Sequence, residues 1–114
     1  MANGVIIPND IPMKLLSSEN MTSSVTTHSI SGSFSHYKAI IVVIYDNGNS
    51  VRATAYVPLE LFNSTNSQVL SEFVVSDARF TSVVGYVSDT SYKVRYVGNS
   101  TPLVTPICKI YGIG

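Results

Sequence analysis

Apolar and polar residues alternate with a period of two along much of the chain. Arg79 to Ser88 sets Phe80, Val84 and Tyr86 against Thr81, Val83 and Gly85, and Tyr92 to Val97 sets Tyr92, Val94 and Tyr96 against Lys93 and Arg95. That spacing puts one set of side chains on each face of an extended strand. Tyr37 to Tyr45 is a β-branched, almost wholly apolar run, and Val51 to Val57 alternates again; Asp46-Asn47-Gly48-Asn49 lies between them. An Asn-Gly pair flanked by two such runs predicts a β-hairpin, because both central positions favour positive φ. Pro58 ends the second strand of the hairpin.

Further strands are expected within 21–30, 69–75 and 105–113. Ser31-Gly32-Ser33, Ser76-Asp77-Ala78, Asp89-Thr90 and Gly98-Asn99-Ser100 supply turn residues, and Leu59 to Phe62 reads as a short helical turn. No segment carries a helical period. About seven to eight short strands at this spacing predict an all-β chain, an antiparallel β-sandwich of jelly-roll-like or Ig-like type. Residues 1–20, with Ile7-Pro8-Asn9-Asp10-Ile11-Pro12, read as an extended N-terminal arm that Met13, Leu15 and Leu16 pack onto the body; residues 21–114 form the single domain.

The run 39–44 is apolar on both faces, and a sandwich core covers only one of them. The face carrying Ile40, Val42 and Ile44 is therefore expected to be an oligomer interface, covered by a second copy or by the arm. Composition agrees with burial by a like partner. Charged residues make up 12% of the 114 residues, about half the usual share, with seven basic and seven acidic side chains. That balance, without a Lys/Arg run, argues against nucleic acid as a partner. No apolar run is long enough to insert in a membrane, and no signal peptide is legible, so the three Asn-X-Ser/Thr sequons are not read as glycan sites.

Candidate chemistry is sparse. Cys108 is the one cysteine and reads as a small buried hydrophobe on the last strand. His28 and His36 flank a turn with no ligand partner at metal spacing, and no nucleophile elbow, phosphate loop or carboxylate pair is present. The expectation is no enzyme, no metal and no cofactor. Tyrosine is the over-used aromatic, seven against four Phe and no Trp. Tyr presents a ring and a hydroxyl together, as recognition surfaces do. Arg52 and Tyr56 on the second hairpin strand, Asn47 and Asn49 in its turn, and Asp89 with Tyr92 at the later turn are the candidate ligand-contact residues.

Two stretches carry a resemblance. Ser35-His36-Tyr37-Lys38-Ala39-Ile40-Ile41-Val42, followed by Val57-Pro58-Leu59-Glu60-Leu61, and the ending Lys109-Ile110-Tyr111-Gly112-Ile113-Gly114, resemble small β-rich domains of bacteriophage tail-fibre, baseplate and related virion proteins. The resemblance spans about residues 35–114. It implies a virion component made in the host cytoplasm, homotrimeric, acting in structure or in host adhesion, with a host-surface glycan or other virion proteins as partners. A free-standing bacterial carbohydrate-binding module or lectin is the alternative.

Overall fold

The computed structural model describes residues 13–46, 50–64, 68–75, 77–102 and 104–114. Within them lie eight strands and no α-helix: β1 (Met13–Asn20), β2 (Thr26–Ser29), β3 (Ala39–Tyr45), β4 (Val51–Pro58), β5 (Gln68–Val75), β6 (Ala78–Ser88), β7 (Ser91–Gly98) and β8 (Ile107–Ile113). They form two four-stranded sheets, in the orders β1-β8-β3-β4 and β2-β7-β6-β5. Every pairing is antiparallel. The architecture is the antiparallel β-sandwich that the alternation predicts. Its chain path nests β1–β8 and β2–β7, and it fills each sheet with the local pairs β3–β4 and β5–β6–β7.

Period-two alternation decides which side chains meet between the sheets. From the first sheet come Leu16, Ile40, Val42, Ile44, Val57, Cys108 and Ile110; from the second come Phe73, Val75, Phe80, Val84, Tyr92 and Val94. Phe34 and Phe62 plug one end, edge-to-face at 5.2 Å, with Tyr86 against both. Phe34 precedes β3 in a 3-10 turn over Phe34–His36, and Phe62 follows one over Leu59–Leu61, where a short helical turn is expected. No buried side-chain polar atom among the described residues lacks a partner.

Two expectations need correction. Residues 13–20 are not part of a separate arm: β1 pairs with β8 along its length and buries Leu16, so these residues belong to the sandwich. The Pro-containing stretch before it lies outside the described residues. And Ile40, Val42 and Ile44 are core side chains, at 0%, 1% and 0% exposure, not an oligomer interface. A run apolar at both parities leaves open which parity faces inward. The register with β8 decides it, setting Ile40 opposite Gly112 and Val42 opposite Ile110.

Candidate functional site

The surface left over by that choice is the outer face of the first sheet. Register aligns two rows across all four strands: Met13, Ile113, Ala39 and Pro58, then Leu15, Tyr111, Ile41 and Tyr56. None of the eight is charged. Met13, Leu15 and Tyr56 are exposed at 58%, 44% and 65%, whereas Ala39 is buried. A β-bulge between Leu15 and Ser17 keeps Leu15 outward while Leu16 and Ser17 both turn to the core side. The third row brings polarity: Ser18, Lys109, Val43 and Thr54. The Lys109 ammonium rests 4.6 Å from the centroid of the Tyr45 ring, a cation–π contact that quiets the one charge on these three rows. Burial and then the adjacent Tyr45 hydroxyl push the Tyr111 phenol above its ordinary value.

The sequence-predicted contact residues do not converge. Tyr56 and Arg52 lie on this outer face, but the Arg52 guanidinium is already engaged, donating to Asp46 Oδ2 at 2.8 Å. Tyr92 is in the core at 0% exposure, its hydroxyl 2.6 Å from Ser17 Oγ. Asp89 is a structural residue: its carboxylate accepts from Ser35 N–H and Ser35 Oγ, both at 2.8 Å, and its carbonyl accepts from Phe34 N–H. Those Ser35 bonds hold its pKa below the ordinary carboxylate value. Asn47 and Asn49 lie outside the described residues.

Topology makes one polar constellation that spacing alone does not show. Glu19 on β1 lies 3.6 Å from His28 Nδ1 on β2, and His28 Nε2 lies 3.0 Å from Thr26 Oγ1. A carboxylate, imidazole and hydroxyl in line is the layout of an activated nucleophile. Here the hydroxyl also donates to the Val94 carbonyl at 3.4 Å, on the same strand pair that holds it. The clefts beside Arg95, Lys93 and Arg79 do not border this line. It joins the first sheet to the second, as Ser17–Tyr92 does alongside it. Among the described residues, no group of three metal-ligating side chains assembles.

The second sheet's outer face mixes exposed apolar side chains, Leu70, Val74, Val87 and Val97, with charged ones. Along β7, Lys93, Arg95 and Val97 point outward. A cleft of about 410 Å³ lies beside Arg95, lined also by Ser23, Asn99, Ser100 and Thr101. A second, of about 260 Å³, lies on its other side, lined by Lys93, Gln68, Val25, Val83 and Gly85.

These features define a class: a two-sheet antiparallel β-sandwich whose first sheet carries two uncharged outer rows, and whose second sheet carries Lys93, Arg95, Arg79 and Glu72 among exposed Leu70, Val74, Val87 and Val97. No family model, curated protein or solved structure matches the chain.

Proposed function

We propose that the chain is a non-enzymatic assembly module of the kind its resemblance implies, a phage virion component that packs against copies of itself through the outer face of its first sheet. The observation that carries this reading is the pair of uncharged rows across β1, β8, β3 and β4, on a domain whose core is already closed by its own second sheet. Met and Tyr on an uncharged patch are what protein interfaces enrich, and a patch of this kind on a soluble chain marks a contact site. A face without formal charge is also compatible with itself about a symmetry axis, since no like charges meet. The interface thus falls on the opposite parity of β3 from Ile40, Val42 and Ile44: Ala39, Ile41 and their row partners.

Light scattering on the full chain tests it. The wild type is expected to run at a multiple of its 12.3 kDa mass, a trimer if the resemblance extends to stoichiometry. Ile41→Lys, at the middle of the second row, is expected to give a folded monomer with an unchanged circular dichroism spectrum. A wild type that is monomeric at about 100 μM would remove the proposal, because a standard-sized protein interface is populated well below that concentration.

A further inference from the structure

We infer that the outer flank of β7 is a binding groove for a carboxylate-bearing oligosaccharide, with Arg95 as its central contact. The inference goes beyond self-assembly and does not depend on it, since the groove lies on the opposite sheet.

Arg95 lines both clefts, so the two meet at its side chain. Lys93 stands two residues away on the same face, with its Cα about 6.6 Å from that of Arg95. Neither cation has a carboxylate partner among the described residues, and no carboxylate lines either cleft. Elsewhere on the surface the arginines are matched, Arg52 by Asp46 and Arg79 by Glu72. Lys93 and Arg95 are thus two neighbouring outward cations that form no ion pair among the described residues. Edge protection, for which exposed Lys and Arg serve, does not account for Lys93, which sits opposite Thr27 of β2 inside the sheet; Arg95 lies one residue past the last β2 pair, Thr26 with Val94.

The rest of the groove wall selects the ligand. Ser23, Asn99, Ser100 and Thr101 on one side and Gln68 on the other present hydroxyls and amides, which pair with sugar hydroxyls. The Arg fork matches a carboxylate in bidentate fashion. At Gly85 the groove floor has no Cβ, and the Lys93 stem crosses it; a Cβ there would lie 2.8 Å from Lys93 Cε. Glycine thus lets the lysine lie flat along the groove instead of standing away from it. Two cations are too few for a nucleic-acid track, which needs a row of phosphate contacts. Volumes of about 410 and 260 Å³ suit one or two sugar rings each.

The experiment is a heteronuclear NMR titration of the full chain with trigalacturonate, with the uncharged trisaccharide of the same length, and with inorganic phosphate. Trigalacturonate is expected to shift the amides of Gly85, Lys93 to Gly98 and Asn99 to Thr101 saturably, with affinity falling as salt rises. The uncharged sugar is expected to bind about tenfold or more weaker, and Arg95→Gln to lose about tenfold, as loss of a charge-assisted bidentate pair does. Lys93→Gln is expected to fall between, and Ile41→Lys to bind normally, which separates failure of this inference from failure of the assembly reading. No saturable shift up to about 10 mM, a concentration at which even weak specific ligands register, would overturn it. Equal binding by Arg95→Gln would do the same. Equal displacement of the same resonances by phosphate would show a site that reads charge alone and would end the saccharide assignment.

Discussion

Tyr92 and Cys108 show what burial does to single residues here. The Tyr92 ring sits between the sheets with its hydroxyl on Ser17 Oγ at 2.6 Å, and burial pushes its phenol above the ordinary value. Removing one partner of a buried hydrogen bond strands the other, whereas removing both leaves an apolar contact. Ser17→Ala is therefore expected to cost about 1–3 kcal/mol and the Ser17→Ala/Tyr92→Phe pair distinctly less than the sum of the singles, read as a double-mutant cycle in urea. Among the described residues Cys108 has no hydrogen-bond partner to soften its burial, which pushes its thiol from an ordinary 9.0 up to about 12. The sign follows directly. A group whose folded pKa is raised favours folding fully below its unfolded value and loses that contribution as pH climbs toward the folded one. Between pH 8 and 10.5 the wild type should therefore lose stability, and Cys108→Ala should lose about 2 kcal/mol less over the same interval. Tyr92 adds loss of the same sign above its ordinary range. Equal pH slopes for wild type and variant would refute this reading of Cys108.

At the scale of the strands, glycines that look alike in sequence differ by what stands over them. Gly98 ends β7 beneath Phe80: a Cβ there would lie 2.3 Å from Phe80 Cδ1 and 3.2 Å from the Arg79 carbonyl. Phe80 cannot yield, being stacked on Phe73 and edge-on to Tyr96. Gly85 meets only the flexible Lys93 stem. Gly98→Ala is accordingly expected to destabilise by about 1–3 kcal/mol, the usual penalty of overpacking, and Gly85→Ala by distinctly less, because the lysine stem over this buried glycine can move aside; chemical denaturation of the two variants compares them. The same contrast explains how far the sequence could be read. Strand alternation placed Tyr92, Val94 and Tyr96 on one face, and that face is the inner one. Local signals also placed the hairpin strands and the turn at Leu59–Leu61. They could not orient β3, whose two parities are equally apolar. Nor could they show β1 as a strand, because its residues, Met-Lys-Leu-Leu-Ser-Ser-Glu-Asn, do not alternate around the bulge and it pairs with the far end of the chain. The groove was invisible for the same reason: Gln68 and Gly85 face each other only through the β5–β6 register, and Lys93 joins them through β6–β7.

In the molecule as a whole, the two outer faces follow from one inner one. Each strand that commits its apolar parity to the core sends the other parity outward. On β7 that other parity is Lys93 and Arg95, and on β3 and β8 it is Ala39, Ile41, Tyr111 and Ile113. The two outer faces therefore differ in charge: the two rows of the first sheet have none, whereas the second sheet sets Lys93 and Arg95 among exposed Leu70, Val74, Val87 and Val97. If the uncharged rows are covered by like copies, folding and association share free energy, and apparent stability must rise with protein concentration, because a partner that binds only the folded chain pulls the equilibrium toward it by mass action. Thermal melts over a hundredfold range of concentration should then move the wild-type midpoint upward by several degrees, the shift that about 1–3 kcal/mol produces in a domain of this length. Ile41→Lys should melt at one temperature throughout, since its lysine stands in the middle of the face and has no carboxylate to meet on the opposing copy. A wild-type midpoint independent of concentration would mean that the uncharged rows are not covered by this chain.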